Sequence, residues 1–282
     1  MAAFPPLAAL ASAALLISCS GEAPKKAETT PEKSDAKQKE PIVNETDTKV
    51  LFEDAMVADW QKNWFLDGKN ATLEHRDGGL YFAAGTITKA MDREKYHAHH
   101  AVLWTKREFE GDIAISFEMK RVDASTYGTT LVYIQAQGIG APPYVEDIHA
   151  WRELRDVPAM SHYFNYMNLL SLSLRGEIRF KRYPWNDVAR GTKYKTVLVE
   201  PMHEYDGIES GKTYRVEIEK RNPSLTIRLY DPHTGARFSE CTWDASKGME
   251  DRPVRFIEKG RIGLRHMSTR QHVYRNFKVS RL

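Results

Sequence analysis

The sequence lacks a strong excess of charge of either sign. Its 41 lysines and arginines are nearly balanced by 38 aspartates and glutamates, and the formal net charge is +3. Proteins that bind nucleic acid usually carry a basic face or stripe, and the basic run from Arg175 to Arg182 is too short to form one. We therefore expect no nucleic-acid partner.

Cysteine is also scarce, because only Cys19 and Cys241 occur. Cys19 ends the segment Leu16-Ile17-Ser18-Cys19 and follows an apolar run that is too short to span a membrane as a helix. Residues 1–19 resemble a bacterial lipoprotein signal peptide, although they lack the Lys or Arg that normally precedes the apolar run. A plain secretory peptide or an apolar tail is the alternative. If Cys19 is lipidated, we expect the protein to contact a membrane through the lipid alone. It would then lie in the bacterial cell envelope, at the outer membrane or facing the periplasm. Cys241 would then have no disulfide partner and would act as a small buried apolar residue.

Apolar residues are few in residues 20–49, which are rich in Lys, Glu, Thr, Ala and Pro. So little apolar surface cannot offset the entropy lost on ordering, and we predict a disordered tether. Residues 50–282 remain for folding, and one large β domain accounts for a segment of that length.

No helical periodicity and no internal repeat are found in residues 50–282, where only Val145 to Leu154 could form a short helix. Apolar and polar residues alternate instead, as in the segment that contains Ile113, Ile115, Phe117 and Met119, which is the period of a half-buried strand. Hairpin turns are predicted at Asp77-Gly78-Gly79, near Gly176 and at Asn222-Pro223-Ser224. The pattern predicts an all-β fold, an antiparallel β-sandwich or jelly roll.

Six segments together carry a resemblance to a known group of proteins: Gly260 to Val279, His100 to Lys106, Phe109 to Ile113, Tyr133-Ile-Gln135, Asp147 to Trp151 and Arg182-Tyr-Pro184. They resemble parts of the concanavalin A-like lectin/glucanase superfamily. The resemblance covers about residues 50–282 and extends to an uncharacterised family of bacterial secreted proteins within the superfamily. It implies a concanavalin A-like jelly roll and no cofactor, and it leaves a structural calcium ion open. The superfamily includes glucanases, polysaccharide lyases and lectins, so the fold does not settle the activity.

The acidic signature of the superfamily's glucanases, Glu-x-Asp-x-x-Glu in outline, is incomplete here. Glu110 and Asp112 begin such a pattern, but Glu118 lies too far along the sequence to be its last acidic residue. A retaining glycosidase needs two carboxyl groups about 5 Å apart. A glycoside hydrolase that uses Glu118, Asp147 or Glu153 is therefore an alternative interpretation and not the leading one.

The stretch from Tyr127 to Trp185 holds two strand-like runs and a long insertion between them. Long connections in compact domains are usually functional, so we expect this insertion to wall a substrate cleft. The side chains of this region that we expect to face the groove are cations, amides, tyrosines and histidines with few carboxylates, which suits an acidic sugar because Arg binds carboxylates well. The predicted substrate-binding residues are Tyr133, His149, Arg152, Asn165, Asn168, Arg179 and Lys181.

The same group of polar residues predicts β-elimination from a uronic acid. The enzyme would be a carbon–oxygen lyase of the polysaccharide lyase or oligosaccharide dehydratase type. Jelly-roll lyases of the superfamily use Gln or Asn, His and Tyr in this reaction. Tyr133 with Gln135 resembles their glutamine strand, and Arg179 to Tyr183 is similar to their late Tyr/Lys strand. The predicted catalytic residues are His100, Gln135, His162, Tyr163 and Tyr183, with His and Tyr as proton carriers.

Two further interpretations come from the tryptophans and the histidines. A glycan-binding lipoprotein is an alternative in which exposed tryptophans stack on sugar rings. Those residues are Trp60, Trp64, Trp151 and Trp185. His97, His99 and His100 form a cluster that no carboxylate or cysteine completes at a zinc spacing, so we assign no metal site.

Overall fold

The computed structural model describes residues 49–57, 59–184, 207–246 and 256–282, together with the backbone of residues 186–187, 192–193 and 203–204. Cys19, the predicted signal peptide, the predicted tether except Lys49, and Trp185 lie outside the described residues. In the described part of the chain, no helix has the length and apolarity needed to cross a membrane.

The described residues form eighteen strands in chain order. These are β1 (Val50–Asp54), β2 (Trp64–Asp67), β3 (Thr72–Arg76), β4 (Gly79–Ala83), β5 (Ala101–Thr105), β6 (Phe109–Glu110), β7 (Ile113–Arg121), β8 (Thr130–Gly138), β9 (Met167–Leu174), β10 (Glu177–Tyr183), β11 (Asn186–Asp187), β12 (Thr192–Lys193), β13 (His203–Glu204), β14 (Thr213–Arg221), β15 (Ser224–Tyr230), β16 (Arg237–Asp244), β17 (Lys259–His266) and β18 (Gln271–Arg281).

Most of these strands belong to two antiparallel sheets. Sheet A has the order β16-β15-β14-β7-β18-β4-β3, and β1 also pairs with β18. Sheet B has the order β13-β10-β9-β8-β17-β5-β2, and β6 also pairs with β17. Strands β11 and β12 pair only with each other among the described strands. The predicted antiparallel β-sandwich is confirmed.

The main core lies between the two sheets. Ile113, Ile115, Phe117 and Met119 on β7 all belong to it, as the alternation predicted, and each is at most 1% exposed. Sheet B contributes side chains such as Leu172 to the same core. Complete burial of an apolar side chain of this size stabilises the fold by about 1.5–3 kcal/mol.

The three predicted hairpin turns are confirmed. Strands β3 and β4 pair around Asp77 and Gly78, and β9 and β10 pair around Gly176. Strands β14 and β15 pair from Arg221 opposite Ser224, which leaves Asn222 and Pro223 as the turn. Asp77 has φ 53° and Gly78 has φ 71°, values that suit the left-handed residues of a tight hairpin turn.

A long connection between β8 and β9, residues 139–166, lies against the outer face of sheet B, the face turned away from sheet A. We call this connection the cover. It contains a 3-10 helix, Ile148–Arg155, which overlaps the predicted helical segment, and α1, Met160–Tyr166, which the sequence pattern did not predict. Aromatic residues in α1 favour strands, and packing of the fully buried Tyr163 on sheet B offsets that preference. Two other 3-10 helices span Trp60–Lys62 and Tyr96–His99.

Candidate functional site

The outer face of sheet B carries two rows of side chains that run across neighbouring strands. Residues directly opposite each other in antiparallel strands lie on the same face, with their Cβ atoms about 4.5–5.5 Å apart. The first row is Lys181, Ser171, Tyr133, Gly263 and Trp104. The second row is Arg179, Ser173, Leu131, Arg265, Val102 and Asp67.

The cover is fastened to this face by Asp67. Its Oδ2 atom accepts hydrogen bonds from Trp104 Nε1 at 2.7 Å, from Arg155 Nε at 2.6 Å and from Tyr163 OH at 3.0 Å. Arg155 also donates to the carbonyl oxygens of Trp151 and Ile148. One buried carboxylate therefore joins strand β2, strand β5, the 3-10 helix of the cover and α1.

Beneath the cover lies a buried tyrosine cluster, which we define as Tyr133, Tyr163 and Tyr183 together with Arg265. The ring of Tyr133 stacks near that of Tyr163, with centroids 5.7 Å apart, and meets that of Tyr183 edge-on at 6.1 Å. The guanidinium carbon of Arg265 lies 4.1 Å from the centroid of Tyr163. Sequence reasoning named all three tyrosines, and the structure brings them together.

Burial dominates the acid–base properties of this cluster. It raises the pKa of Tyr133 and Tyr163 well above the usual range and raises that of Tyr183 to about 12, although the charge of Arg265 opposes the change in each case. All three hydroxyls are therefore protonated at neutral pH. In this closed arrangement they can donate hydrogen bonds, but they are poor bases.

Beside the cluster, the outer face of sheet B is open to solvent in a pocket of about 200 Å³. We call its cationic part the basic strip, which consists of Arg175, Arg179 and Lys181. The other lining residues are Thr129, Leu131, Met160, Ser173, Glu177 and Met267. Glu177, which forms an ion pair with Arg179, is the one carboxylate among these lining residues, against three cations.

Lys181 is partly buried, and this lowers the pKa of its amino group from the ordinary value of 10.5. Burial is the largest cause, the neighbouring positive charge of Arg179 lowers the pKa further, and Glu177 acts in the opposite direction. Lys181 is therefore neutral more often than a solvent-exposed lysine at the same pH.

Two predicted catalytic residues lie away from the pocket. Gln135 is fully buried, and its Nε2 donates to the carbonyl oxygens of Phe109, Gly111 and Glu258 at 3.0–3.2 Å. The expected alternation fails there because the pairing of β8 with β9 shifts between Ile134 and Gln137, and Gln135 itself has φ 49°. The amide therefore holds neighbouring loops together instead of facing a groove.

His100 is also fully buried, at the start of β5. Its Nδ1 accepts a hydrogen bond from the backbone N–H of Ser268 at 2.9 Å, and its ring meets Tyr96 edge-on. Burial, followed by the charge of Arg265, lowers the pKa of His100 to about 2. The imidazole is neutral and is not placed in the open pocket.

The remaining predicted residues divide between two regions. His162, Asn165 and Asn168 are half-buried on α1 and at the start of β9, and burial lowers the pKa of His162. His149 and Arg152 lie elsewhere, in a separate depression near the edge strand β2. Burial, followed by the charge of Arg152, lowers the pKa of His149. The seven predicted binding residues therefore do not form one site.

The carboxylates of the hydrolase alternative are dispersed. Glu118 lies on β7 in sheet A and accepts a hydrogen bond from Asn276 at 3.2 Å, so it does not face the pocket of sheet B. Asp147 accepts from Arg261 at 2.8 Å and from the backbone of His149, and Glu153 is exposed on the cover. No pair of these acids lies in the pocket.

Two of the three described tryptophans that were expected to be exposed platforms are buried. Trp64 is 1% exposed and Trp151 is 4% exposed, and both pack in apolar clusters. Trp60 is half-buried beside the depression that contains His149. The expectation of four exposed stacking surfaces is therefore wrong for Trp64 and Trp151.

Sequence reasoning missed Arg265, Asp67 and Arg155 as members of this region. A signal for Arg265 was present, because Ile262 and Leu264 alternate with it and identify it as an outer-face residue of β17. Asp67 and Arg155 are 88 positions apart, and no local pattern joins them. Among the described residues, no group of three or more His, Cys, Asp or Glu side chains is placed to hold a metal ion.

No protein-family model matches the chain, and no curated protein matches it either. Several solved structures are similar to the chain. A protein of unknown function with a galectin-like fold from Bacillus subtilis has a TM-score of 0.56 and 18% identity over 83% of this chain and 96% of that one. A structure from work on endo-acting O-glycanases of the human gut microbiota has a TM-score of 0.51 and 10% identity over 83% of this chain and 100% of that one. Lectin II from Ulex europaeus has a TM-score of 0.46 and 14% identity over 82% of this chain and 98% of that one.

At such low identities the first two likenesses establish the fold and nothing more. The chain has an antiparallel β-sandwich fold similar to that of the galectin-like protein from Bacillus subtilis, and the β-sandwich expected from the sequence is confirmed. A shared fold does not assign a function, because one fold carries many unrelated sites.

Proposed function

We propose that the protein binds an acidic glycan through the basic strip on the outer face of sheet B. The observation that carries the proposal is the composition of the open pocket, in which Arg175, Arg179 and Lys181 stand against the single carboxylate of Glu177. Such a lining attracts a carboxylate or sulfate group and disfavours a cationic ligand.

The surroundings of the strip suit a sugar ring as well as an anion. Ser173 and Thr129 offer hydroxyl groups, while Leu131, Met160 and Met267 offer apolar surface. Ligand sites usually combine apolar walls with a small number of placed polar groups. One neighbour of the same fold is named for endo-acting O-glycanases, which makes glycans the ligand class to test first.

The test compares a galacturonate oligosaccharide with a neutral glucose oligosaccharide by isothermal titration calorimetry on the full chain. We expect the acidic ligand to bind and the double variant Arg179→Ala/Lys181→Ala to bind it at least about tenfold more weakly, because hydrogen bonds to charged groups contribute about 1.5–3 kcal/mol each. Equal binding of the neutral ligand, or an unaffected double variant, would contradict the proposal.

A matched control is available on the other sheet. Arg215 forms an ion pair with Glu217 two positions away, as Arg179 does with Glu177, and Lys120 is partly buried like Lys181. The double variant Arg215→Ala/Lys120→Ala removes the same two charges from sheet A. It should leave binding of the acidic oligosaccharide unchanged.

The second candidate function is β-elimination from the bound uronate. The observation that favours it is the lowered pKa of Lys181, which lies two positions from Arg179 on the same strand face. Arg179 would hold the carboxylate, and neutral Lys181 would take the proton from C5. The electron pair of that C–H bond forms the C4=C5 double bond, the C4–O bond breaks, and the leaving oxygen takes the proton back from the ammonium group of Lys181.

The variant Lys181→Arg separates this reaction from simple binding. Arginine keeps the positive charge but is always protonated, so it cannot accept the C5 proton. We expect Lys181→Arg to retain binding of the acidic oligosaccharide and to lose the ultraviolet absorbance of the unsaturated product. If the native protein gives no such absorbance with any uronate-containing glycan, the reaction is excluded and binding remains.

The location of the protein stays a proposal based on its first residues. Lipidation of Cys19 would place the β domain at the surface of a bacterial membrane, where a polymeric glycan could reach it. Labelling of expressing cells with a palmitate analogue should mark the native chain and not Cys19→Ala. Equal labelling of both would contradict lipidation at this cysteine.

A further inference from the structure

Arg265 is fully buried beneath the cover without a described counterion. Its Nη2 donates to the carbonyl oxygen of Pro158 at 2.8 Å, but its Nε and Nη1 have no hydrogen-bond partner among the described residues. Asp67, the buried carboxylate of the same row, is instead in contact with Arg155 at 2.6 Å. A buried charge without a partner is strongly unfavourable, so this position calls for an anion.

Two buried hydroxyl groups near Arg265 also lack partners. Tyr133 OH and Ser171 Oγ have none among the described residues, and the two side chains are directly opposite each other on β8 and β9. Arg265 is opposite Leu131, the next residue of β8 on the same face. Its guanidinium carbon lies 4.1 Å from the ring centroid of Tyr163, which is 5.7 Å from that of Tyr133, so the guanidinium lies near Tyr133. Arg265 Nη1, Tyr133 OH and Ser171 Oγ are therefore three buried groups that can each donate a hydrogen bond and that have no bonded acceptor among the described residues.

We infer that Arg265, Tyr133 and Ser171 form an enclosed subsite for the carboxylate group of an acidic sugar. The inference rests on the proposed function and deepens it, because the subsite continues from the basic strip. Lys181 is opposite Ser171, and Ser171 is opposite Tyr133, so one cross-strand row leads from the open pocket to the buried groups. The carboxylate accepts hydrogen bonds from both hydroxyls and from Nη1 of Arg265, and supplies the missing negative charge.

The ligand reaches this subsite by displacement of α1. The helix has seven residues, and its N-cap residue Ala159 makes no side-chain capping bond. Met160, its first residue, lines the open pocket, and Pro158 just before it supplies the one described acceptor of Arg265. Short helices have little stability of their own, so α1 is held mainly by the packing of Tyr163 and by its hydrogen bond to Asp67. Displacement of α1 breaks that bond and leaves the strand pairing intact.

The test uses glucuronic acid and its uncharged analogue glucuronamide on the full chain. Thermal unfolding and calorimetry should show that glucuronate stabilises the native protein and that glucuronamide does not, since a ligand raises the melting temperature by binding the folded state. Tyr133→Phe and Ser171→Ala each remove one unpaired hydroxyl group and leave the sheet intact. We expect each to weaken glucuronate binding about tenfold. Tyr127→Phe, at an exposed tyrosine, is the matched control and should bind normally.

The outcomes separate the enclosed subsite from the basic strip. If the native protein binds the galacturonate oligosaccharide through the strip but Tyr133→Phe and Ser171→Ala bind glucuronate as well as the native protein does, the enclosed subsite is wrong and the proposed function stands. Equal stabilisation by glucuronate and glucuronamide also overturns the subsite, because the carboxylate charge is then not recognised. If no acidic sugar binds the native protein, both proposals fail.

Discussion

The carboxylate of Asp67 and the guanidinium of Arg155 form an ion pair at 2.6 Å, and both side chains are completely buried. The pair joins strand β2 of sheet B to the 3-10 helix of the cover. Asp67 also accepts from Trp104 and Tyr163, so loss of the cation would leave a buried negative charge with only two neutral donors.

Replacement Arg155→Met should therefore destabilise the fold strongly. Removal of one partner from a buried ion pair costs about 3–5 kcal/mol, because the remaining charge is not compensated. Chemical unfolding monitored by circular dichroism measures the change. The exposed pair of Lys69 and Asp156 is the control, and Lys69→Ala should cost less than about 1 kcal/mol. Similar small losses for both variants would show that the cover is not fastened through Asp67.

A second prediction concerns Gln135, whose amide nitrogen donates to three backbone carbonyl oxygens. Gln135→Ala should lower the free energy of unfolding by about 1–3 kcal/mol, because buried acceptors lose their donor. It should leave the affinity for an acidic oligosaccharide close to the native value, because the amide does not line the pocket.

Gln137, which is half-buried two positions further along β8, provides the comparison for Gln135. Gln137→Ala should change stability by less than about 0.5 kcal/mol. A loss of glycan affinity in Gln135→Ala at unchanged stability would restore the catalytic role expected from the sequence.

Stability should also fall in mild acid because of three buried histidines. Burial lowers the pKa of His100 to about 2 and that of His266 to about 3, and it lowers that of His272 well below the ordinary 6.5. The neutral forms are therefore favoured in the folded state, while the unfolded chain takes up protons below pH about 6.5. The contribution of these histidines to the free energy of unfolding is complete above that pH. It declines as the pH falls towards their pKa values in the folded state.

Each of these histidines contributes up to about 1.4 kcal/mol per pH unit to the slope of the free energy of unfolding against pH in that window. Unfolding midpoints measured between pH 7.5 and pH 5, above the range in which most carboxylates titrate, should show the decline. His100→Asn should reduce the slope, and His75→Gln, at an exposed position, should not. A flat profile over this range would contradict the burial of neutral imidazoles.

The parts of the fold that depend on local pattern could be predicted from the sequence. Ile113 to Met119 alternate because one face of β7 meets the core, and Asn222-Pro223 marks a turn because neither residue suits the middle of a strand. These signals need no knowledge of distant residues. They explain why the sandwich and its hairpins were predicted correctly.

The candidate site could be predicted only in part, because the cover buries part of the sheet face that the alternation identifies. Tyr133 and Tyr183 alternate as outer-face residues should, but residues 139–166 lie over them and bury them. Arg179 and Lys181, on the same strand as Tyr183, remain accessible beside the cover. Alternation identifies the face on which a side chain lies, and it does not show which part of that face a distant segment covers.

The last prediction concerns Gly263, the residue of β17 between Tyr133 and Trp104 in the first row. A Cβ atom at this position would lie 2.5 Å from the indole ring of Trp104, which stacks near Tyr133 at 5.5 Å. Gly263→Ala should therefore displace the indole and cost about 1–3 kcal/mol, the usual range for overpacking a core. Near-ultraviolet circular dichroism should show the altered aromatic packing. Gly176→Ala is the control, since a Cβ atom there meets nothing within 4 Å. If Gly263→Ala is as stable as Gly176→Ala and keeps the native aromatic spectrum, the indole does not lie against the backbone at Gly263, and the packing of the first row must differ from that described.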